Sequence, residues 1–323
     1  MKIRQFVVAF SLLLTPLAAH AQLGCWVGMG SINFGNVNQV GGGDTNSNGT
    51  MSLSCAGATQ PFVRVCIGLG ATVDSSWNPR YLIGQQTGGR LAYNIYMDAA
   101  YTQIWGNEYS VAGPPRAVDL PMSYGSGYTT VPYYAKVPAQ SGALSDTYNT
   151  TFTYASDTSV RVLEYSGTPP ACSSSMPMVS RFEFGVWATV QGDCSITASS
   201  LDFGAAGLEL SRTATDAVST ITMRCTQGTA YTIALDAGTG SGATVSERRM
   251  TRDAGPETLR YSLYRDSART QVWGDGSAGT VMQSGTGTGT QNSINHSVYG
   301  RLVPQAEPPT GTYHDTITAT VTF

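Results

Sequence analysis

The chain has 323 residues and a formal net charge of −3, with 12% charged residues, 41% hydrophobic residues and 37 glycines. That length suggests about two domains, and abundant Gly, Ser and Thr without an amphipathic helical run points to an all-β chain rich in turns. A pI near 5.6 and no basic stripe exclude nucleic acid as a partner, because nothing would neutralise phosphates.

Met1–Ala21 has the plan of a secretory signal. Lys2 and Arg4 give the positive start, Phe6–Leu14 the apolar core, and Ala19-His20-Ala21 a small-x-small cleavage site. A retained anchor is the alternative, but the apolar run is short for a membrane span. The mature chain is then expected to begin at Gln22. All six cysteines (Cys25, Cys55, Cys66, Cys172, Cys194, Cys225) lie beyond the signal, and an even number in an exported β protein points to disulfides. No pair has the spacing of a metal site, and no metal or cofactor is expected.

Two copies of one unit follow. Cys25 and Cys55 lie 30 positions apart, and Cys194 and Cys225 lie 31 apart. Asn33-Phe34-Gly35 matches Asp202-Phe203-Gly204. Leu91–Tyr96 matches Leu259–Tyr264, and Thr102–Gly106 matches Thr270–Gly274, both at an offset of 168. Thr147-Tyr148 matches Thr312-Tyr313 at an offset of 165. The spacing pairs Cys25 with Cys55 and Cys194 with Cys225, leaving Cys66 to Cys172 within the first unit. Short alternating segments between Gly, Asp, Asn and Ser turns predict two tandem β-sandwiches, a first domain over 22–191 and a second over 192–323.

The first unit closes on Arg181–Val190, whose Phe182, Phe184, Val186, Ala188 and Val190 share one face at period two. In the second unit, Tyr313, Asp315, Ile317, Ala319, Val321 and Phe323 alternate with Thr316, Thr318, Thr320 and Thr322, predicting one long final strand. Its counterpart is Tyr148–Tyr154, after which the first unit continues through Ser159–Tyr165 and a Pro- and Ser-rich loop to Arg181–Val190. The second unit offers no equivalent of that last strand. Its edge is expected to stand open as a strand acceptor built on Tyr313, Ile317, Ala319, Val321 and Phe323, unless the sandwich buries it another way.

Catalytic patterns are not evident. Of the two histidines beyond the signal, His296 and His314, the second adjoins Asp315, but alternation puts the two on opposite faces. No G-x-S-x-G elbow is present, and Gly238-Thr-Gly240-Ser-Gly242 has no βαβ context. Asp44, Asp98, Asp253 and Asp266 read as scattered turn acids.

Apolar residues are instead concentrated in three stretches of the first unit, two with counterparts in the second unit that are poor in them and a third that exists only in the first. Between Ala71 and Gly89 these are Val73, Trp77, Pro79, Tyr81, Leu82 and Ile83. Between Glu108 and Thr130 they are Tyr109, Val111, Pro114, Pro115, Val118, Leu120, Pro121, Met122, Tyr124 and Tyr128. Ser166–Ser180 adds Pro169, Pro170, Met176, Pro177 and Met178. Such loops are expected to form a contact surface, the alternative being that they cap the end of the sandwich. Because Arg181–Val190 runs into the second domain, loop Ser166–Ser180 is expected at the far pole, with Trp77–Ile83 brought toward it through Cys66.

Tyr261-Ser-Leu-Tyr264-Arg-Asp266, Trp273-Gly-Asp275 and Gly311-Thr-Tyr313-His-Asp315-Thr316, together with the Cys–Cys and Phe-Gly pairs, resemble the spore coat U domain. That family includes subunits of archaic (Csu-type) chaperone–usher pili. The first unit departs from the pattern, with Asn107 after Trp-Gly and no Gly-x-Tyr at Tyr148. The resemblance implies two immunoglobulin-like sandwiches, the second an incomplete pilin domain whose missing strand comes first from a periplasmic chaperone and then from an adjacent pilin subunit. It also implies export through the periplasm and an outer-membrane usher. Gln22-Leu23-Gly24 would reach about 10 Å at most, too short to donate a strand. The expectation is a tip adhesin of the pilus, attaching cells to an abiotic or host surface and promoting biofilm. The alternatives are a lectin-type tip, with Trp77 or Tyr81 stacking on a sugar, and a purely structural coat or initiator subunit.

Overall fold

The computed structural model describes residues 22–38, 40, 42–72, 75–153, 157–205 and 210–323. The expected secretory signal, Val73 and Tyr154 lie outside the described residues. Among the described residues there are strands and turns and no helix.

The first unit consists of β1 (Gly24–Gly28), β2 (Ile32–Val37), β3 (Thr45–Ala56), β4 (Phe62–Leu69), β5 (Arg80–Gly84), β6 (Arg90–Tyr96), β7 (Arg116–Pro121), β8 (Ser126–Val137), β9 (Asp146–Phe152), β10 (Thr158–Tyr165), β11 (Met178–Ser180) and β12 (Phe184–Val190). An eight-stranded sheet in the order β1-β3-β8-β6-β5-β9-β12-β2 faces a four-stranded one, β11-β10-β4-β7. Period-two alternation puts Val63, Val65, Ile67 and Leu69 of β4 and Leu91, Tyr93 and Ile95 of β6 into one shared core.

The second unit consists of β13 (Cys194–Ala198), β14 (Thr215–Cys225), β15 (Ala230–Leu235), β16 (Arg248–Arg252), β17 (Thr258–Tyr264), β18 (Gln283–Thr286), β19 (Ile294–Leu302), β20 (Tyr313–His314) and β21 (Ala319–Thr322). Its sheets run β13-β14-β19-β17-β16-β20 and β18-β15-β21 around a smaller core. The disulfides are Cys25–Cys55, Cys66–Cys172 and Cys194–Cys225, the pairs expected from the spacing.

Several elements differ from the sequence expectation. The strand ending the first unit starts at Phe184, although Phe182 is still buried and stacks on Phe184 at 6.0 Å. Tyr313–Phe323 is not one strand. Tyr313–His314 joins the large sheet beside β16, and Ala319–Thr322 joins the small sheet beside β15. Both sheets face one core, so the apolar alternation continues through the crossing and conceals it. The crossing is held by Asp236, whose N–H donates to Thr318 O and whose carboxylate accepts from Thr318 N. The stretch 108–130 is not only loop: it contains β7 and the start of β8, and the stretch 71–89 contains β5.

Candidate functional site

In the first unit, β12 lies between β9, antiparallel, and β2, parallel. Phe184, Val186, Ala188 and Val190 point inward and are buried, and the Phe184 ring stacks on Phe152 at 4.5 Å. This strand seals Ile32, Phe34, Leu82, Tyr148 and Phe152, all buried.

The same five positions in the second unit are Leu201, Phe203, Met250, Tyr313 and Ile317. Backbone and side-chain bonds establish the match. Gly35 N donates to Asn33 Oδ1 and Gly204 N to Asp202 Oδ1, both at 2.8 Å. Tyr148 OH donates to Leu144 O, and Tyr313 OH donates to Pro309 O, both at 2.8 Å. Ile83 pairs with Asn149 as Thr251 pairs with His314. All five side chains are only partly buried in the second unit. Among the described residues no strand lies between Leu201–Ala205 and Tyr313–Ile317. A groove lies there instead. One cavity of about 400 Å³ is lined by Leu201, Ile221, Leu263, Tyr313, Ile317 and Ala319, among others. Another of about 660 Å³ adjoins it along Phe203, Leu259 and Pro308. Of the expected acceptor residues, Tyr313, Ile317 and Ala319 line the groove. Val321 pairs with Ile233 in the small sheet, and Phe323 projects into solvent beyond the strand end.

The floor of the groove has hydrogen bonds of its own. Asp315 accepts from Tyr261 OH at 2.7 Å, from Thr239 N at 2.7 Å and from Thr239 Oγ1 at 2.9 Å. Burial, then the bond to Asp315, pushes the Tyr261 phenol well up, so it stays a donor. Asp266 accepts from Thr270 N and Gln271 N just as Asp98 does from Thr102 N and Gln103 N, making these family-pattern acids turn caps.

Each unit also carries a buried arginine that the loop comparison passed over. Arg80 donates to Gly70 O, Leu69 O, Trp105 O and Asn94 Oδ1. Arg248 donates to Asp236 O, Leu235 O and Trp273 O, while its Nη1 has no protein partner. Burial pulls the Arg80 guanidinium down to about 10, still protonated at neutral pH. The fixed offset of 168 between Arg80 and Arg248 was the signal that could have found them.

The contact surface expected on the first unit is redistributed by the fold. Leu82, Pro115, Leu120 and Met176 are corrected from contact residues to interior ones. Leu82 and Leu120 face inward at period two on β5 and β7. Met176 sits over Cys66, its Sδ 3.6 Å from Cys66 Sγ, so the Cys66–Cys172 bond folds the 166–177 loop across the outer face of β4. Arg161 anchors that loop through Met176 O and pairs with Glu108. Trp77, Pro79, Tyr81, Ile83, Val118, Met122 and Pro170 are half-buried. Pro79–Ile83 runs into β5 inside the large sheet. Val111, Pro114, Tyr124, Tyr128, Pro169 and Met178 are exposed.

Four of the remaining aromatics converge at one end. Gly57 N and Ala58 N donate to Gly125 O, and Met122 N donates to Pro61 O, bringing Phe62 to the β7–β8 turn. Phe62 stacks on Tyr165 at 5.5 Å. Trp26, Ser54 and Tyr128 form one cross-strand row, with Trp26 58% and Tyr128 66% exposed. The sequence reading missed Trp26 and Phe62. Trp26 follows a disulfide cysteine, so alternation alone directs it outward. Tyr124 at the turn is 105% exposed and has φ 52°, followed by Gly125 at φ 77°. Ser123 and Ser126 exchange both backbone bonds across it, the two-residue hairpin that favours Asn-Gly. A tyrosine there costs about 1–2 kcal/mol. This turn stands at the Ala56–Ser126 end of the twelve-residue β3–β8 ladder, which is about 37 Å long at 3.4 Å per residue. The opposite end leads to Leu144, which bridges to Gln227 of the second unit.

Among the described residues no His, Cys, Asp and Glu cluster could hold a metal ion, and no helix is long and apolar enough to cross a membrane. Protein U of Myxococcus xanthus is 33% identical over 156 residues, covering 42% of this chain and 80% of that protein. The fold is similar to that in the CsuC–CsuE chaperone–tip adhesion subunit pre-assembly complex from archaic chaperone–usher Csu pili of Acinetobacter baumannii. The TM-score is 0.52 at 18% identity, covering 93% of this chain and 100% of that one. The CupB6 tip adhesin from Pseudomonas aeruginosa aligns at a TM-score of 0.41 and 14% identity, over 93% of this chain and 94% of that one. The sequence profile of the Spore Coat Protein U domain matches residues 10–155 and 180–320. The chain belongs to the Spore Coat Protein U domain family.

Proposed function

We propose that this chain is a non-enzymatic adhesin subunit of a chaperone–usher pilus, exported through the periplasm and placed at the fibre tip. Its second domain, 192–323, accepts a strand first from a periplasmic chaperone and then from an adjacent subunit, delivered through an outer-membrane usher. Its first domain, 22–191, contacts the surface to which the cell attaches and so promotes biofilm. The observation that carries strand acceptance is the five-position comparison: residues sealed by β12 in one unit line an open groove in the other. The fold likeness to a chaperone–tip adhesion subunit complex supports the same reading.

Contact is assigned to the end bearing Trp26, Phe62, Tyr124 and Tyr128. An aromatic held in a left-handed turn, with its whole side chain in water, has no packing role to explain it. Each large side chain removed from water contributes about 1.5–3 kcal/mol before ordering costs, and such contacts suit apolar surfaces. The test replaces the four residues by Ser, singly and together, in piliated cells. Pilus assembly is expected to stay normal while adhesion to hydrophobic plastic falls at least tenfold in the combined variant. Unchanged adhesion overturns the apolar-end reading. Adhesion of the unmutated protein that a free sugar abolishes would favour the lectin alternative.

A further inference from the structure

The first unit holds a worked answer to what fills the groove of the second, and we infer from it a size rule for the incoming strand. The occupant is an extended segment of another chain, apolar at alternate positions, whose residue opposite Tyr313 is no larger than alanine. This rests on the strand-accepting reading above and adds to it the chemistry of the partner.

The register is fixed residue by residue. In the first unit Phe184 lies opposite Phe152, Val186 opposite Thr150, Ala188 opposite Tyr148 and Val190 opposite Asp146. On the other side Val186 lies beside Ile32 and Val190 beside Val37, in parallel. Carried to the second unit, the segment runs antiparallel to Tyr313–Ile317 and parallel to Leu201–Ala205. Its successive inward residues face Ile317, Asp315, Tyr313 and Gly311.

Three of the four inward side chains of β12 are large and one is a methyl group. The methyl group stands opposite the tyrosine. Directly opposed inward residues have Cβ atoms about 4.5–5.5 Å apart, so a ring on one strand removes volume from the other. The ring cannot swing aside in either unit, because its hydroxyl is tied to the carbonyl four residues earlier, Leu144 O or Pro309 O. Tyr148 and Ala188 are both buried in the sealed unit. A close-packed interior accommodates an added methylene only by moving its neighbours, and this neighbour is tethered. At the first inward position, that of Phe184, Ile317 replaces Phe152, so that site has more room in the second unit than in the first. On the outer face there is no such limit: Trp187 stands exposed on β12. The rule therefore singles out one position and leaves the outward residues free.

The test uses the full chain and synthetic ten-residue peptides copying Arg181–Val190, with binding read by fluorescence anisotropy. The unaltered peptide is expected to bind, with Val186→Leu changing the affinity less than threefold and Ala188→Leu weakening it at least tenfold. On a Tyr313→Leu chain the Ala188→Leu loss should shrink below threefold. If that chain does not fold, the peptide series on the unaltered chain still decides. Binding insensitive to residue 188 overturns the size rule and leaves strand acceptance standing. No binding by any peptide overturns strand acceptance itself.

Discussion

The two units share a disulfide-linked strand pair, a buried arginine, a buried tryptophan and a tethered tyrosine, yet one is sealed and the other open. Trp105 Nε1 donates to Ile67 O and Trp273 Nε1 to Ile233 O, so even the centre of the core is wired alike. The difference is local to one strand position. Whether an apolar residue is interior is therefore not set by the residue or by its own strand. Phe34 and Phe203 occupy the same place, and only the neighbour decides that one is buried and the other partly exposed.

Breaking the sealed unit at that strand is expected to have the largest effect. Val186→Asp buries a carboxylate with no partner and should destabilise the first unit by about 4 kcal/mol or more, leaving the second unit's transition in place. The converse graft appends a flexible linker and a copy of Arg181–Val190 after Phe323. Its three large inward side chains each contribute about 1.5–3 kcal/mol before the segment is ordered. The second transition should rise by roughly 10 °C, measured by calorimetry on the full chain. A graft that leaves it unmoved would show that the groove does not take a strand.

Much of this comparison was legible before the fold. The paired cysteines, the offset of 168 and the run Phe182–Val190 fix the repeat and its extra strand, because covalent spacing and period-two alternation are local properties of the chain. Loop exposure was not legible in the same way. Met176, Leu120 and Trp26 are equally apolar in the sequence. The first is covered because a disulfide 106 residues long pins its loop, the second because its strand parity turns inward, and the third is exposed for the same kind of reason. The break at Asp315–Thr318 escaped notice because both sheets present the same alternation to one core.

A smaller effect sharpens the equivalence of the buried arginines. Arg80→Met leaves the carbonyls of Leu69, Gly70 and Trp105 without their donor and should cost about 3 kcal/mol or more in the first unit. Arg248→Met removes the same three carbonyl bonds in the second unit, but Arg248 already carries an unpaired Nη1. Its loss should be about 1 kcal/mol less costly, read from the two transitions in urea. Equal costs would mean that the fourth bond, Arg80 to Asn94 at 2.5 Å, contributes nothing.

The smallest effect separates the units by pH. The two histidines among the described residues, His296 and His314, both lie in the second unit. The His296 ring meets Tyr231 OH at 2.8 Å, and burial lowers its pKa below the usual 6.5. A depressed histidine pKa means that below about 6.5 the unfolded chain binds a proton that the folded chain resists. Stability is therefore full above that pH and declines as pH falls through the folded value. The ring is half-buried and water still reaches it, so the decline is modest. Between pH 7 and 5.5 the second unit's urea midpoint should drift downward while the first unit's stays level, and His296→Gln should flatten the second. A slope that survives that substitution would assign the titration elsewhere.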